Sequence, residues 1–450
     1  MRREILMPPV TPSMVHGKIS RWHVAEGQAV AAGDVLVEIA TSTATLEIEA
    51  EDEGRVERIL VPAGTEGVKV NTPIAVVLAD AHRRDALPLA FAALDPLPGP
   101  HADTLAASAP IPAPRARSRG AGHGADQTYR EALRDALAED MRADDRVLLI
   151  GVDVAQNRGA LKVAQGLEDE FGASRVVTVP ALDEALFGLA VGAAMAGLKP
   201  VVEVASWGRA LDVMLPYLAE AAEAFYLSGG ALPVSIVFRG PNGFTPGATG
   251  QDARCVAATL AQIPGLTVVQ PATASAAGGL LSAAIRSSGP VAVLEHDLLY
   301  PSRELYVPAT SEAHTFALGR ARIARAGSDV TVAASGHAVL AAIEAAHRLS
   351  DEGIDTEVID LMSVRPLDID RVAGSVSKTG RLVTIEEGWG IGAELTAAIV
   401  SRCFGALKGP PVQLSGMQVP LPYAQELQAV AVPDADALTR AVRAAVRGVP

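Results

Sequence analysis

The first 79 residues alternate short β-branched runs with turn residues that recur every eight to twelve positions. The turn residues stand at 26–28, 32–34, 53–54 and 62–64. This spacing predicts a small all-β module over residues 1–79. Residues 22–27 also resemble residues 59–64, and an internal echo of this kind is expected of a flattened barrel with two similar halves.

From residue 128 the pattern alternates between predicted helices and buried strands. Alternation of this kind predicts parallel sheets with helices on both faces. In the first α/β block we expect helices over residues 129–142, 182–196, 214–227 and 275–286, and strands over 147–152, 201–204, 234–238 and 291–295. In the second we expect strands over residues 330–334, 355–360 and 382–386, and helices over 338–349, 369–378 and 392–403.

Residues 80–126 separate these regions and are dominated by Ala, Pro, Gly and Ser. Such a segment cannot bury a core, and it predicts an extended tether. Its basic end is either simply solvated or a contact for an acidic partner. The predicted organisation is a β module over 1–79, a linker over 80–126, and α/β domains over 127–305 and 325–450.

Composition and charge narrow the functional classes. The chain has 450 residues, of which 49% are apolar, and a net charge of −14 without a basic run, which argues against nucleic-acid binding. Cys255 and Cys403 cannot build a disulfide framework or a cysteine zinc pattern, so a reducing cytosol fits. The longest apolar stretch, residues 185–198, is too short to cross a bilayer. We expect a soluble, cytoplasmic protein with no membrane partner.

Two β-branched runs, residues 35–39 and 45–49, flank a turn at residues 41–44. They resemble the hairpin that carries the swinging arm of a lipoyl domain. In that family the turn reads Asp-Lys-Ala and the lysine amine is acylated by lipoate, whereas this chain has Ser42, Thr43 and Ala44. A threonine hydroxyl cannot form that stable amide, so we expect no lipoate on this chain. A biotin carrier, which also needs the lysine, is disfavoured for the same reason.

The α/β region carries the more specific resemblance. Residues 192–200, 226–230 and 238–243 resemble the beta subunit of the thiamine-diphosphate-dependent decarboxylating component of 2-oxo acid dehydrogenases, the pyruvate type included. Residues 359–361, 365–368, 386–389 and 419–423 resemble its C-terminal domain. The resemblance implies a transketolase-like pyrimidine-binding domain and a transketolase C-terminal domain. It also implies oxidative decarboxylation of a 2-oxo acid and acyl transfer to lipoate, giving acetyl-CoA in the full complex.

In that family a glutamate shares a proton with the pyrimidine nitrogen of thiamine diphosphate and so promotes its reactive tautomer. The matching position here is Asp183, and Glu184 follows it. Asp183 is one methylene shorter, while Glu184 is turned about 100° away on the helix. One of the two contacts the pyrimidine, or both simply stabilise a helix N-terminus.

The resemblance also implies roles for two further positions. Asp252 replaces the histidine that assists acyl transfer to lipoate, and an ionised aspartate offers no proton. It is a working acid or, as the residues favour, a polar loop residue paired with Arg254. Trp207 either stacks on the pyrimidine or is an ordinary core tryptophan.

Five residues of this chain resemble the potassium-binding loop of the family, in which most ligands are main-chain carbonyl oxygens. An ordinary surface turn is the alternative, since the family's acidic member is a serine here. The set is Ile236, Ala284, Ile285, Ser287 and Gly289.

The chain lacks the Gly-Asp-Gly…Asn-Asn stretch that holds the diphosphate through magnesium in this family. The resemblance therefore implies an alpha subunit that carries the magnesium, an assembly of two alpha and two beta chains, and an acyltransferase core. The alternative is a catalytically diverged paralogue acting as a scaffold or regulatory subunit, because Thr43, Asp183 and Asp252 all depart from the family. Transketolase and deoxyxylulose-phosphate synthase are weaker readings, since those enzymes carry both halves of the cofactor site in one chain.

Overall fold

A computed structural model gives the fold of most of the chain. It describes residues 2–7, 16–31, 34–40, 45–50, 54–70, 72–79, 127–152, 154, 162–179, 184–245, 250, 252–303 and 316–447. The predicted tether over residues 80–126 lies outside these ranges. The chain divides into two compact units, Met1–Thr104 and Leu105–Pro450.

The described part of the first unit is all β, as predicted. It pairs β1, β8, β6 and β3 in one sheet and β5, β4, β2 and β7 in another. Inward residues at alternate strand positions, such as Ile19, Ile39 and Val56, form its core. The strands are β1 (Arg2–Leu6), β2 (His16–Trp22), β3 (Ala29–Val30), β4 (Val35–Ala40), β5 (Thr45–Glu49), β6 (Gly54–Ile59), β7 (Val68–Lys69) and β8 (Pro73–Ala79).

The β4–β5 hairpin is formed in antiparallel register. Val37 lies opposite Ile48, and Ala40 lies opposite Thr45 at the end of the ladder. The connecting residues 41–44, and with them Thr43, lie outside the described residues. The scaffold expected of a carrier hairpin is therefore present up to its turn.

The second unit begins with an α/β domain. Its helices are α1 (Tyr129–Ala143), α2 (Leu167–Phe171), α3 (Glu184–Met195), α4 (Trp207–Leu227), α5 (Ala257–Ala261) and α6 (Ala274–Ile285). Its strands are β9 (Val147–Val152), β10 (Val176–Val179), β11 (Lys199–Glu203), β12 (Val237–Pro241), β13 (Thr267–Val269) and β14 (Val291–Glu295).

These six strands are parallel, in the order β10-β9-β11-β12-β14-β13. Every residue of β12 and β14 is buried, as expected for a parallel sheet with both faces covered. One apolar cluster packs α1 and α6 on one face, and another packs α3 and α4 on the other. The carboxyl ends of the strands therefore share one edge, where loops can bring side chains together.

A second α/β domain follows, with strand order β15-β17-β16-β19-β20 and only β15 antiparallel among the described strands. Its strands are β15 (Arg322–Arg325), β16 (Val330–Ala334), β17 (Thr356–Asp360), β19 (Leu382–Ile385) and β20 (Val412–Leu414). Its helices are α7 (Ala338–Ser350), α8 (Ile369–Thr379), α9 (Ile391–Cys403), α10 (Gln425–Ala431) and α11 (Ala435–Arg447).

One strand joins the two α/β domains. After β17 the chain forms β18 (Ser363–Arg365), which pairs antiparallel with β13 of the first sheet. Val268 lies opposite Arg365 in this ladder. β18 thus adds a strand to the sheet of the first α/β domain, and this pairing holds the two domains together within the unit.

Among the described residues, none of the helices combines the length and apolar character needed to cross a membrane.

Candidate functional site

The carboxylates predicted for the pyrimidine lie at the start of α3. Glu184 is the first residue of this helix, and its side chain is exposed. Asp183 lies outside the described residues, so the choice between the two stays open. The outward positions that follow, Ala185, Leu189 and Gly192, are also exposed and apolar, and Leu189 is 52% exposed.

Trp207 is a core residue in this structure. It begins α4 after the N-cap residue Ser206, and its side chain has no exposed surface. Its indole Nε1 donates a hydrogen bond to the carbonyl oxygen of Val293 on β14 at 3.3 Å. The burial favours the second of the two sequence alternatives, a tryptophan that supports the sheet instead of offering a free face to a ring.

Asp252 is held in an ion pair, but its partner is not the one expected. Arg209 on α4 donates to both carboxylate oxygens of Asp252, at 2.8 and 2.7 Å. The prediction of Arg254 was wrong, because Arg254 points to Asp212 at 3.4 Å. Hydrogen bonding from Arg209, reinforced by its charge, lowers the pKa of Asp252. The group is therefore ionised at neutral pH and cannot donate a proton.

The residues predicted for potassium come together at the end of α6 and beside β12. The Ile236 carbonyl accepts a hydrogen bond from the Val291 N–H at 2.9 Å, and the Ala284 carbonyl accepts one from Ser287 at 3.0 Å. The Ser287 hydroxyl in turn accepts from the Gly289 N–H at 3.2 Å, and Ile285 is buried in the same turn. These hydrogen bonds hold the turn, and the Ala284 carbonyl also accepts from the Arg286 N–H.

A buried ionic network that no sequence motif indicated lies in the first α/β sheet. The Arg239 guanidinium on β12 bonds Glu203 on β11 and Glu295 on β14. The Tyr300 hydroxyl donates to the Glu295 carboxylate at 2.6 Å. Burial raises the pKa of Glu203, while for Arg239 the two carboxylates outweigh burial and raise the pKa of the guanidinium. The network ties three neighbouring strands together near their carboxyl ends.

A second group that the sequence did not reveal lies at the junction of the two α/β domains. His337 Nδ1 lies 2.9 Å from Glu387 Oε1, and His296 Nε2 lies 3.2 Å from Glu387 Oε2. The two imidazole rings stack with their centroids 4.4 Å apart. The Phe244 N–H also donates to Glu387, at 3.2 Å. Burial alone would raise the pKa of Glu387, but the two histidines outweigh it and lower the pKa below the usual range.

Domain families match three parts of the chain. Residues 3–77 match the family described as "Biotin-requiring enzyme". Residues 125–303 match "Transketolase, pyrimidine binding domain", and residues 319–438 match "Transketolase, C-terminal domain". These matches confirm the predicted fold class, a lipoyl-like module followed by two transketolase-type α/β domains. The exact boundaries predicted from the sequence remain predictions.

A solved structure titled "Split gene transketolase, inactive beta4 tetramer" shares the fold. Its TM-score is 0.55 at 22% sequence identity, and the match covers 71% of this chain and 98% of that one. At this identity the likeness concerns architecture alone.

Curated relatives are much closer in sequence. The "Pyruvate dehydrogenase E1 component subunit beta" of Rhizobium meliloti (strain 1021) is 43% identical over 463 aligned positions, which cover 98% of each chain. The mitochondrial subunit beta-2 of Oryza sativa subsp. japonica is 44% identical, over 72% of this chain and 88% of its own. The mitochondrial subunit beta of Bos taurus is 41% identical, over 70% of this chain and 89% of its own. The chain therefore belongs to the family of pyruvate dehydrogenase E1 component beta subunits, which serve thiamine-dependent 2-oxo acid dehydrogenases.

Proposed function

We propose that this chain is the beta half of a working E1 component, which decarboxylates a 2-oxo acid such as pyruvate and passes the acyl group to lipoate. The observation that carries the proposal is the surface of α3. An exposed carboxylate, Glu184, opens this helix, and the face that follows it is apolar and exposed. Contiguous apolar surface beside a carboxylate is typical of a site completed by another chain. An alpha subunit is that chain, in an assembly of two alpha and two beta chains.

One half of a thiamine diphosphate site would lie at the start of α3, where Glu184 is exposed. When bound, the cofactor supplies the carbanion chemistry that decarboxylation requires. Asp183 or Glu184 would hold a proton at the pyrimidine nitrogen, and Glu184 is accessible for that contact. The diphosphate and its magnesium belong to the alpha subunit in this proposal, because this sequence has no stretch that would bind them.

Acyl transfer in this proposal does not depend on a proton from Asp252. Its carboxylate is committed to Arg209, and the Ser206 hydroxyl donates to its main-chain carbonyl at 3.1 Å. Lipoate would arrive on a separate chain of an acyltransferase core, since Thr43 replaces the attachment lysine here. A potassium ion at the 284–289 turn would be held by main-chain carbonyl oxygens of that turn. The free thiols of Cys255 and Cys403 fit the reducing cytoplasm as the compartment.

The ion pair of Asp252 also supports a second function. An ionised carboxylate where the family has a histidine opposes the negative charge that develops during acyl transfer. If that loss is decisive, the chain is a diverged scaffold or regulatory subunit that assembles without catalysing.

Co-expression with an alpha subunit of the same E1 family tests the proposal. We expect a stable complex that binds thiamine diphosphate and reduces an artificial electron acceptor only when a 2-oxo acid is present. Asp183→Asn and Glu184→Gln remove each charge with little change of shape. The variant that loses the pyrimidine contact should fall about 100-fold or more in turnover. Asp169→Asn, which changes an exposed acid in the first turn of α2, is the matched control.

The restored variant Asp183→Glu with Asp252→His separates the two functions. A parent complex that binds the cofactor but turns over no 2-oxo acid, while the restored variant is active, establishes the diverged subunit. If neither complex is active with any 2-oxo acid tested, the catalytic proposal fails.

A further inference from the structure

His296, His337 and Glu387 come from three separate elements of the second unit. His296 directly follows β14 of the first α/β domain, His337 precedes α7, and Glu387 follows β19 of the second. All three lie beyond the carboxyl ends of parallel strands, where loops of the two domains meet. Their side chains are 2%, 27% and 7% exposed, respectively.

The three side chains converge on a small volume. One ligand atom from each lies within 4.8 Å of the other two. Gly243 makes the approach possible, since a Cβ at this position would lie 2.4 Å from Glu387 Oε2. Its φ of +89° is also one that glycine adopts readily. The loop after β12 is therefore shaped around the carboxylate.

Two imidazole nitrogens and one carboxylate oxygen form a ligand set suited to zinc, whereas magnesium and calcium prefer oxygen ligands alone. Three protein ligands leave a fourth position for water, and His337 is the most exposed of the three ligands. We propose that His296, His337 and Glu387 bind a zinc ion that joins the two α/β domains. This site is separate from the potassium turn at the end of α6 and from the magnesium assigned to the alpha subunit.

One hydrogen bond of the metal-free chain competes with zinc binding and lowers the affinity of the site for zinc. The Leu298 N–H donates to His296 Nδ1 at 3.2 Å, so in the metal-free chain the proton of the neutral ring lies on Nε2, facing Glu387. Zinc at Nε2 moves that proton to Nδ1 and breaks the contact with Leu298. Metal-bound histidines usually donate this second N–H to an acceptor. We therefore expect an affinity about 10–100-fold below that of a site with a matched acceptor.

Zinc content of the full-length, untagged chain tests the site without any assay of activity. The chain is stripped with a chelator, equilibrated with Zn²⁺, freed of excess metal by gel filtration and analysed by plasma mass spectrometry. We expect one zinc per chain and a higher melting temperature with zinc than without. His337→Gln and Glu387→Gln should each lower the affinity at least about tenfold and abolish the thermal shift.

His347→Gln is the matched control, because His347 is an exposed histidine on the same helix, α7. It should bind zinc like the parent, and both cysteines are retained in every variant. Circular dichroism and melting without zinc identify any variant that fails to fold, and His337→Gln, at a partly exposed position, decides the matter if Glu387→Gln unfolds. A parent chain without zinc, or equal zinc in parent and folded His337→Gln, overturns the proposal and leaves a proton-bridged contact between domains.

Discussion

At the scale of single residues, two arginines of similar charge have opposite environments. Arg239 is fully buried between Glu203 and Glu295, whereas Arg209 lies on the surface with Asp252. A buried charge that loses its counter-charge pays the full desolvation penalty, while an exposed one is rehydrated. The two pairs should therefore contribute very differently to stability, although both have short contacts.

Substitutions that break each ion pair compare the two contributions to the free energy of unfolding directly. Arg239→Met leaves two carboxylates without a counter-charge in the sheet interior, and we expect a loss of about 3–5 kcal/mol in the free energy of unfolding. Asp252→Asn should change it by no more than about 1 kcal/mol. Urea denaturation followed by tryptophan fluorescence measures both. Equal effects of the two variants would contradict this account of the buried network.

Cys255 provides a prediction that depends on pH. Its sulfur lies against Gly388, and Asn242 Nδ2 donates to it at 3.7 Å. Burial raises the pKa of the thiol from 9.0 to about 11. The reactive thiolate is then about 100-fold scarcer at neutral pH than in an exposed cysteine.

Alkylation of Cys255 by iodoacetamide, followed by mass spectrometry, checks this shift. Because its pKa is raised, the rate should keep rising about tenfold per pH unit through pH ~9. In urea the same thiol should react faster at neutral pH. A rate that levels off near pH 9 in the native chain would show an ordinary thiol instead.

The contacts that could not be predicted from the sequence were missed for one physical reason. His296, His337 and Glu387 follow three strands that the chain visits far apart, so no local spacing links them. Single polar residues after buried strands are common and carry no signal by themselves. The partner of Asp252 was mispredicted for the same reason, because Arg209 is near in space and distant in sequence.

At the scale of elements, buried runs predicted most central strands and helices to within two residues, but the strand predicted over residues 234–238 is β12 at Val237–Pro241. The start of α4 was predicted too late, at residue 214 instead of Trp207. Its buried positions, Trp207, Leu211, Met214 and Leu218, do keep helical spacing. Polar residues on the exposed face and Pro216 within the helix obscured that period. Short elements such as β10 and β13 were not predicted, since three or four residues carry too little pattern.

The exposed face of α3 allows stability and assembly to be separated. A Cβ at Gly192 would have no atom within 4 Å in this chain. Gly192→Ala should therefore stabilise the isolated chain by about 0.5–1 kcal/mol, because alanine favours a helix interior. If the alpha subunit covers this face, the added methyl group should weaken the complex.

Gly374→Ala is the matched control, because Gly374 lies within α8 and likewise has open space around its Cβ position. It should stabilise the chain by a similar amount and leave assembly unchanged. Urea denaturation and sedimentation velocity with the alpha subunit measure the two effects. Unchanged association of Gly192→Ala would place the alpha subunit on another surface.

At the scale of the whole molecule, each unit retains a family scaffold but lacks one chemical group or motif that the family uses with it. The first unit forms a β4–β5 ladder of the carrier type, and by the resemblance to lipoyl domains Thr43 matches the attachment lysine. The second unit offers a carboxylate and an apolar helix but no diphosphate-binding stretch. Both features follow from the sequence, because the first depends on one residue and the second on one contiguous motif. Whether a restored lysine could carry lipoate depends on whether the hairpin still has the shape of a lipoyl domain.

Restoring the lysine tests that shape directly. The β4–β5 ladder ends with Ala40 opposite Thr45, and Thr43 is the residue that the resemblance to lipoyl domains matches to the attachment lysine. With lipoate, ATP and a lipoate–protein ligase, we expect one lipoyl group on Thr43→Lys and none on the parent, read as a mass increase of the intact chain. Ala63→Lys, which puts a lysine in an exposed turn elsewhere in the same unit, is the matched control and should stay unmodified. A folded Thr43→Lys chain that stays unmodified would mean that the module has lost its carrier shape as well as its lysine.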